Sequence, residues 1–104
     1  MTDAWVGLGS NLGDREGHLR AALEGLAALG EVTQVSPLYE TEPVGFREQG
    51  PFLNAVACVR TAISPDGFLQ GLQQIELAAG RVRIQRDGPR TLDLDLLFWD
   101  GSVL

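Results

Sequence analysis

Gly88-Pro89-Arg90-Thr91-Leu92-Asp93-Leu94-Asp95-Leu96-Leu97-Phe98 is a turn, an arginine, and two carboxylates set into an otherwise apolar strand. Side chains on a strand alternate between faces with a period of two. Asp93 and Asp95 therefore point one way. Leu92, Leu94, Leu96 and Phe98 point the other way, into a core. Like charges side by side on a strand repel and cost stability. A cation beside them removes that cost, most simply Mg²⁺, which prefers carboxylate oxygens and leaves its other positions to water or phosphate. Arg90, at the mouth of the strand, is placed to hold a phosphate of the same ligand. The plainer alternative is a polar edge strand with a solvated face.

Upstream, the pattern yields five more elements. Ala4 to Leu8 reads as strand one, ended by Gly9-Ser10-Asn11. Asp14 can cap a helix that carries Leu19, Leu23, Leu26 and Ala27 at helical spacing and stops at Gly30. Val32 to Tyr39 is rich in strand formers. Glu40 to Pro51, with its prolines and glycines, reads as a long loop. Phe52 to Thr61 is a third strand. Ser64-Pro65-Asp66 supplies an N-cap, a proline at the first helical position and an acid in the first turn. The helix behind it buries Phe68, Leu69, Leu72 and Ile75 and ends near Gly80. Arg81 to Thr91 is a second long loop, Leu92 to Trp99 a fourth strand, and Asp100-Gly101 a turn.

The order β-α-β-β-α-β predicts an α+β, ferredoxin-like two-layer sandwich of one domain, 1–104, with a four-stranded antiparallel sheet and both helices on one face. Loops as long as the two here are uncommon in a small domain and are often functional. The other sheet face would carry Trp5, Phe52, Asn54, Val56, Cys58, Leu97 and Trp99 beside the two aspartates. An apolar patch of that kind calls for another layer or a partner, a homo-oligomer among the candidates.

Composition narrows the function classes. Apolar residues make up 44% and charged residues 21%, as in an ordinary globular protein. No apolar run approaches a membrane span, and no signal segment is visible, so a cytoplasmic location is expected. The net charge of -6 argues against nucleic acid. All 8 positive side chains are arginine, and Arg81, Arg83, Arg86 and Arg90 fall close together. A local arginine cluster in an acidic chain suits a small polyanion, or else pairs with nearby carboxylates. The single cysteine, Cys58, excludes an internal disulfide and reads as buried. His18, the one histidine, falls in the first helix and reads as a surface residue.

Four segments together resemble the 6-hydroxymethyl-7,8-dihydropterin pyrophosphokinase family. They are Gly9-Ser10-Asn11-Leu12-Gly13, Tyr39-Glu40-Thr41-Glu42-Pro43-Val44-Gly45, Phe52-Leu53-Asn54-Ala55, and Gly80-Arg81-Val82-Arg83 followed by Gly88 to Asp95. The resemblance implies transfer of pyrophosphate from ATP to a pterin alcohol in folate biosynthesis. It implies that Asp93 and Asp95 are ligands of two Mg²⁺ ions, with Asp93, Asp95, Arg81 and Arg90 carrying catalysis. Arg81, Arg83 and Arg90 would grip the phosphates, and Gln73 and Glu76 the nucleotide. Thr41, Glu42, Pro43, Val44 and Gly45 would line the pterin, with Asn54 reading its polar edge and Phe52 stacking on its ring. No membrane or nucleic-acid partner is implied.

Two departures go with the resemblance. Family members continue past the aspartate strand and there supply a histidine and an arginine for the nucleotide and a second pterin-stacking aromatic. Those roles have no residue among these 104. Asp87 also stands where many relatives have a tryptophan. The alternative expectation is a nucleotide- or pterin-binding module that needs another chain or segment for turnover.

Overall fold

The computed structural model of the chain describes residues 1–42, 50–80 and 92–99, and the backbone of 102 and 103. In chain order the elements are β1 (Thr2–Ser10), α1 (Arg15–Ala27), β2 (Glu31–Val35), β3 (Tyr39–Thr41), β4 (Phe52–Thr61), α2 (Pro65–Ala78), β5 (Asp93–Trp99) and β6 (Ser102–Val103).

The helix caps are the expected ones. Asp14 Oδ1 accepts from the Gly17 N–H at 3.1 Å, and Ser64 Oγ accepts from the Gly67 N–H at 3.2 Å ahead of Pro65. α1 ends earlier than Gly30 suggests, with Ala28 as its C-cap. It buries Leu19, Ala22 and Leu26, while Ala27 is exposed. α2 buries Phe68 and Leu72, and Ile75 packs at the margin. Leu69 was expected inside but is 40% exposed, because it lies at the edge of the helix stripe and lines a pocket instead.

Among the described residues the sheet has six strands, not four. Its order is β2-β4-β1-β5-β6, with β3 also paired to β4, and every pairing is antiparallel. Two causes account for the difference. The expected second strand breaks at Pro37, which has no N–H for the ladder, and becomes β2 and β3. Ser36 bridges the gap: its N–H donates to the Val56 carbonyl at 2.8 Å and its Oγ accepts from the Val56 N–H at 2.8 Å. Residues 102–103 return along Phe98 and Trp99 as β6. The expected turn at Asp100-Gly101 lies outside the described residues.

Both helices cover one face. Ala4, Val6 and Leu8 of β1, Ala55, Ala57 and Val59 of β4, and Leu92 and Leu94 form one core cluster with the buried residues of α1 and α2.

The end of β5 departs from simple alternation. Val6 pairs with Leu96 and Trp5 with Phe98, so Leu97 is an extra residue in the ladder, a β-bulge. Beyond it the faces swap. Trp99 turns to the helix side and meets Phe68 edge-on, with ring centroids 5.6 Å apart. Phe98 opposes Trp5 and is 41% exposed. The expectation of Phe98 in the core and Trp99 beside the aspartates is thus reversed. Cys58 is free and buried, as expected.

Candidate functional site

Asp93 and Asp95 precede the bulge, so the alternation that places them together holds there. Asp93 opposes Gly9 and Asp95 opposes Gly7 on β1. The two glycines add no side chain of their own opposite the carboxylates; the side chain of Leu97 lies over Gly7, and those of Asn54 and Phe52 lie over Gly9.

Two pockets share these two aspartates. One, about 180 Å³, lies on the open sheet face. Gly7, Gly9, Val56 and Leu97 contribute to its floor, Tyr39, Phe52 and Asn54 to its wall, and Asp93 and Asp95 to its edge. The other, about 210 Å³, lies between α2 and β5 and is lined by Leu69, Leu72, Gln73, Glu76, Asp93, Leu94 and Asp95. The aspartates stand between a partly aromatic slot and a polar slot.

Polar contacts fix both sides. Asn54 Nδ2 donates to Thr41 Oγ1 at 2.8 Å and to the Phe52 carbonyl at 3.3 Å. The amide orientation is therefore set by β3 and β4 together. Glu76 Oε2 accepts from the Leu94 N–H at 2.7 Å, which ties the end of α2 to the strand between the aspartates.

Among the described residues no group of three or more His, Cys, Asp or Glu side chains is arranged to hold a metal ion. The donor set from these residues is the carboxylate pair. Two hard oxygen ligands fit Mg²⁺, which binds through one or two carboxylates and fills its octahedron with water and phosphate.

The residues singled out from the sequence divide into three groups. Asp93, Asp95, Gln73, Glu76, Phe52 and Asn54 line the pockets, and Thr41 joins them through Asn54. Glu42 is exposed and lines neither pocket. Pro43, Val44, Gly45, Arg81, Arg83 and Arg90 lie outside the described residues. Tyr39, Gly7, Gly9 and Leu97 were not assigned from the sequence. Pro37 was the available signal for Tyr39, since a strand restarting after it brings Tyr39 opposite Asn54. His18, on α1, lines neither pocket.

Residues 5–104 match the family model described as 7,8-dihydro-6-hydroxymethylpterin-pyrophosphokinase. The chain is 48% identical over 99 residues to a 2-amino-4-hydroxy-6-hydroxymethyldihydropteridine pyrophosphokinase of Bacillus subtilis, covering 93% of this chain and 59% of that one. A Methylorubrum extorquens protein of the same name is 44% identical, over 98% of this chain and 66% of its own length. The chain thus spans about six-tenths to two-thirds of these relatives. A solved structure titled "Crystal Structure Analysis of the HPPK-DHPS in complex with substrates" aligns with a TM-score of 0.65 over 95% of this chain and 28% of that one. At 16% identity that likeness speaks for the fold alone.

Proposed function

The chain belongs to the 7,8-dihydro-6-hydroxymethylpterin-pyrophosphokinase family, and from that premise we propose that it transfers pyrophosphate from ATP to the hydroxymethyl group of 6-hydroxymethyl-7,8-dihydropterin, releasing AMP. One observation carries the reading: Asp93 and Asp95 edge both pockets. A group transferred between two substrates has to pass the boundary between their sites.

In this reading the slot of Phe52, Tyr39 and Asn54 takes the flat pterin, and the slot of Gln73 and Glu76 takes the nucleotide. The ring lies beside Phe52 and Asn54 near Gly9, where an added side chain would crowd both. Asn54, its amide held by Thr41, addresses the ring's polar edge. By the family resemblance Thr41 to Gly45 would contact the pterin, and Arg81, Arg83 and Arg90 would grip the phosphates; of these, only Thr41 and Glu42 are among the described residues. The pterin hydroxyl oxygen attacks the β-phosphorus, the bond from that phosphorus to the bridging α,β-oxygen breaks, and the hydroxyl proton is released. Such a reaction asks the protein chiefly to position reactants and neutralise charge. Asp93 and Asp95 would hold Mg²⁺, two ions in this reading, and the metal would supply charge neutralisation and Lewis acidity at the phosphates.

The same reading includes a ferredoxin-like centre, β1-α1-β2-β4-α2-β5, with β3 and β6 added, and a cytoplasmic location. Among the described residues no helix is long and apolar enough to cross a membrane. Self-association through the open face, where Leu97 and Phe98 are exposed, is part of it and is tested by light scattering.

The experiment is AMP formation from ATP, Mg²⁺ and the pterin, run beside Asp95→Ala. The expected result is AMP that depends on pterin and on Mg²⁺ and falls about 100-fold or more in the variant, since a metal contributes several kcal/mol at the transition state. Undiminished AMP from Asp95→Ala would contradict the proposal. Asp95 is exposed, and thermal melting of the variant checks that it remains folded, so that lost activity is not read from a lost fold.

A further inference from the structure

We infer that Arg15 is a positioning residue for the pterin-side pocket, acting by fastening β3 to the start of β4; the inference rests on the pterin pyrophosphokinase reading above. Arg15 is the first residue of α1, whose N-terminus is fixed by the Asp14 cap. Its Nη2 donates to Glu40 Oε1 at 2.9 Å, and its Nη1 donates to the Pro51 carbonyl at 3.0 Å. Glu40 is the middle residue of β3, between Tyr39 and Thr41. Pro51 directly precedes Phe52. One guanidinium therefore holds both chain segments that build the pocket wall.

The wall needs that support. β3 is 3 residues long, and all of them are exposed. So short an edge strand opens locally at small cost. Asn11 adds a second tie from the same junction, its Nδ2 donating to the Gly50 carbonyl at 3.2 Å. Neither Arg15 nor Glu40 lines the pocket, so any effect of Arg15 passes through Tyr39, Thr41, Phe52 and Asn54. Arginine suits the task because its planar fork presents two fixed donors, whereas lysine presents one point charge. The Arg15 and Glu40 side chains are 31% and 57% exposed. Such a pair adds little to global stability, which separates a local effect from unfolding.

The test compares the parent chain with Arg15→Ala and Arg15→Lys. Four quantities are read: amide exchange at residues 39–41, pterin affinity by calorimetry with a non-hydrolysable ATP analogue present, affinity for that analogue, and the denaturation midpoint. In Arg15→Ala, exchange of the β3 amides that donate to β4 should rise about tenfold as β3 opens more often. Pterin affinity should fall about fivefold as the wall loses its geometry. Nucleotide affinity and the midpoint should hold, and Arg15→Lys should recover part of both losses. Unchanged exchange overturns the inference, and so does faster exchange with unchanged pterin affinity. A parent chain that binds no pterin removes the functional reading instead, and the exchange data still decide whether Arg15 fastens β3.

Discussion

Glu76 Oε2 accepts a 2.7 Å hydrogen bond from the backbone N–H of Leu94, the residue between the two aspartates. The bond joins the end of α2 to β5 at the edge where the polar pocket opens. A third carboxylate near Asp93 and Asp95 would be unfavourable on charge alone. The backbone donor gives it a structural use at that place.

Removing that acceptor should cost stability. Glu76→Ala leaves the part-buried Leu94 N–H without this partner, at about 1–3 kcal/mol. Glu76→Gln keeps an acceptor oxygen and should lose no more than about 1 kcal/mol. Chemical denaturation of the three proteins checks this. Equal midpoints for the alanine and glutamine variants would show that the bond contributes nothing.

Gly9 should act as a specificity gate. A Cβ built there would lie 3.2 Å from Asn54 Oδ1 and 3.4 Å from Phe52 Cδ1, inside the slot assigned to the pterin. Gly9→Ala is expected to weaken pterin binding about tenfold, since a displacement of the order of 1 Å is costly in a positioned site. Nucleotide affinity should hold, because Gly9 does not line the second pocket. Calorimetric titration of each ligand separates the two effects.

Ser10 offers a change in the opposite direction. Its Oγ is buried, with no hydrogen-bond partner among the described residues. A desolvated hydroxyl without a partner is a net cost, so Ser10→Ala should raise stability by up to about 1 kcal/mol. For a domain of this size that is roughly 4–8 °C in Tm. A lower Tm would mean that the hydroxyl is satisfied in solution.

The two helices and strands β1, β2, β4 and β5 were legible because they depended on local signals, among them the Asp14 and Ser64 caps, the Leu19 and Phe68 stripes, and the apolar run of β4. The aspartate pair was legible for the same reason, since residues 93 and 95 lie before the irregularity in β5. What followed was not. One extra residue at Leu97 exchanges the faces of Phe98 and Trp99, and period-two reasoning cannot detect an insertion whose cause lies in the register with β1. Pro37 signalled a break in the run of strand formers, but the resumption as β3 depends on pairing with β4. Tyr39 and Gly9 belong to the pocket only through pairing with Asn54 on β4. That is a tertiary relation between segments distant in the chain.

Gly30 marks the tightest backbone approach at the turn from α1 into β2. A Cβ there would lie 2.3 Å from the Arg60 carbonyl oxygen and 3.0 Å from Val59 Cγ1. Arg60 cannot easily yield, because β4 is paired on both sides at that point: Arg60 opposes Asp3 of β1 and Glu31 of β2. The strain must then appear as lost stability, about 1–3 kcal/mol for overpacking at a fixed site. Gly50→Ala is the control, since a Cβ at Gly50 meets nothing within 4 Å. Gly30→Ala should lower the urea midpoint with an unchanged slope, which marks a stability change and not a change in the unfolded state. Gly50→Ala should leave the midpoint in place. Equal midpoints for the two variants would show that β2 can move away from β4 without penalty, and the close packing at Gly30 would then be dispensable.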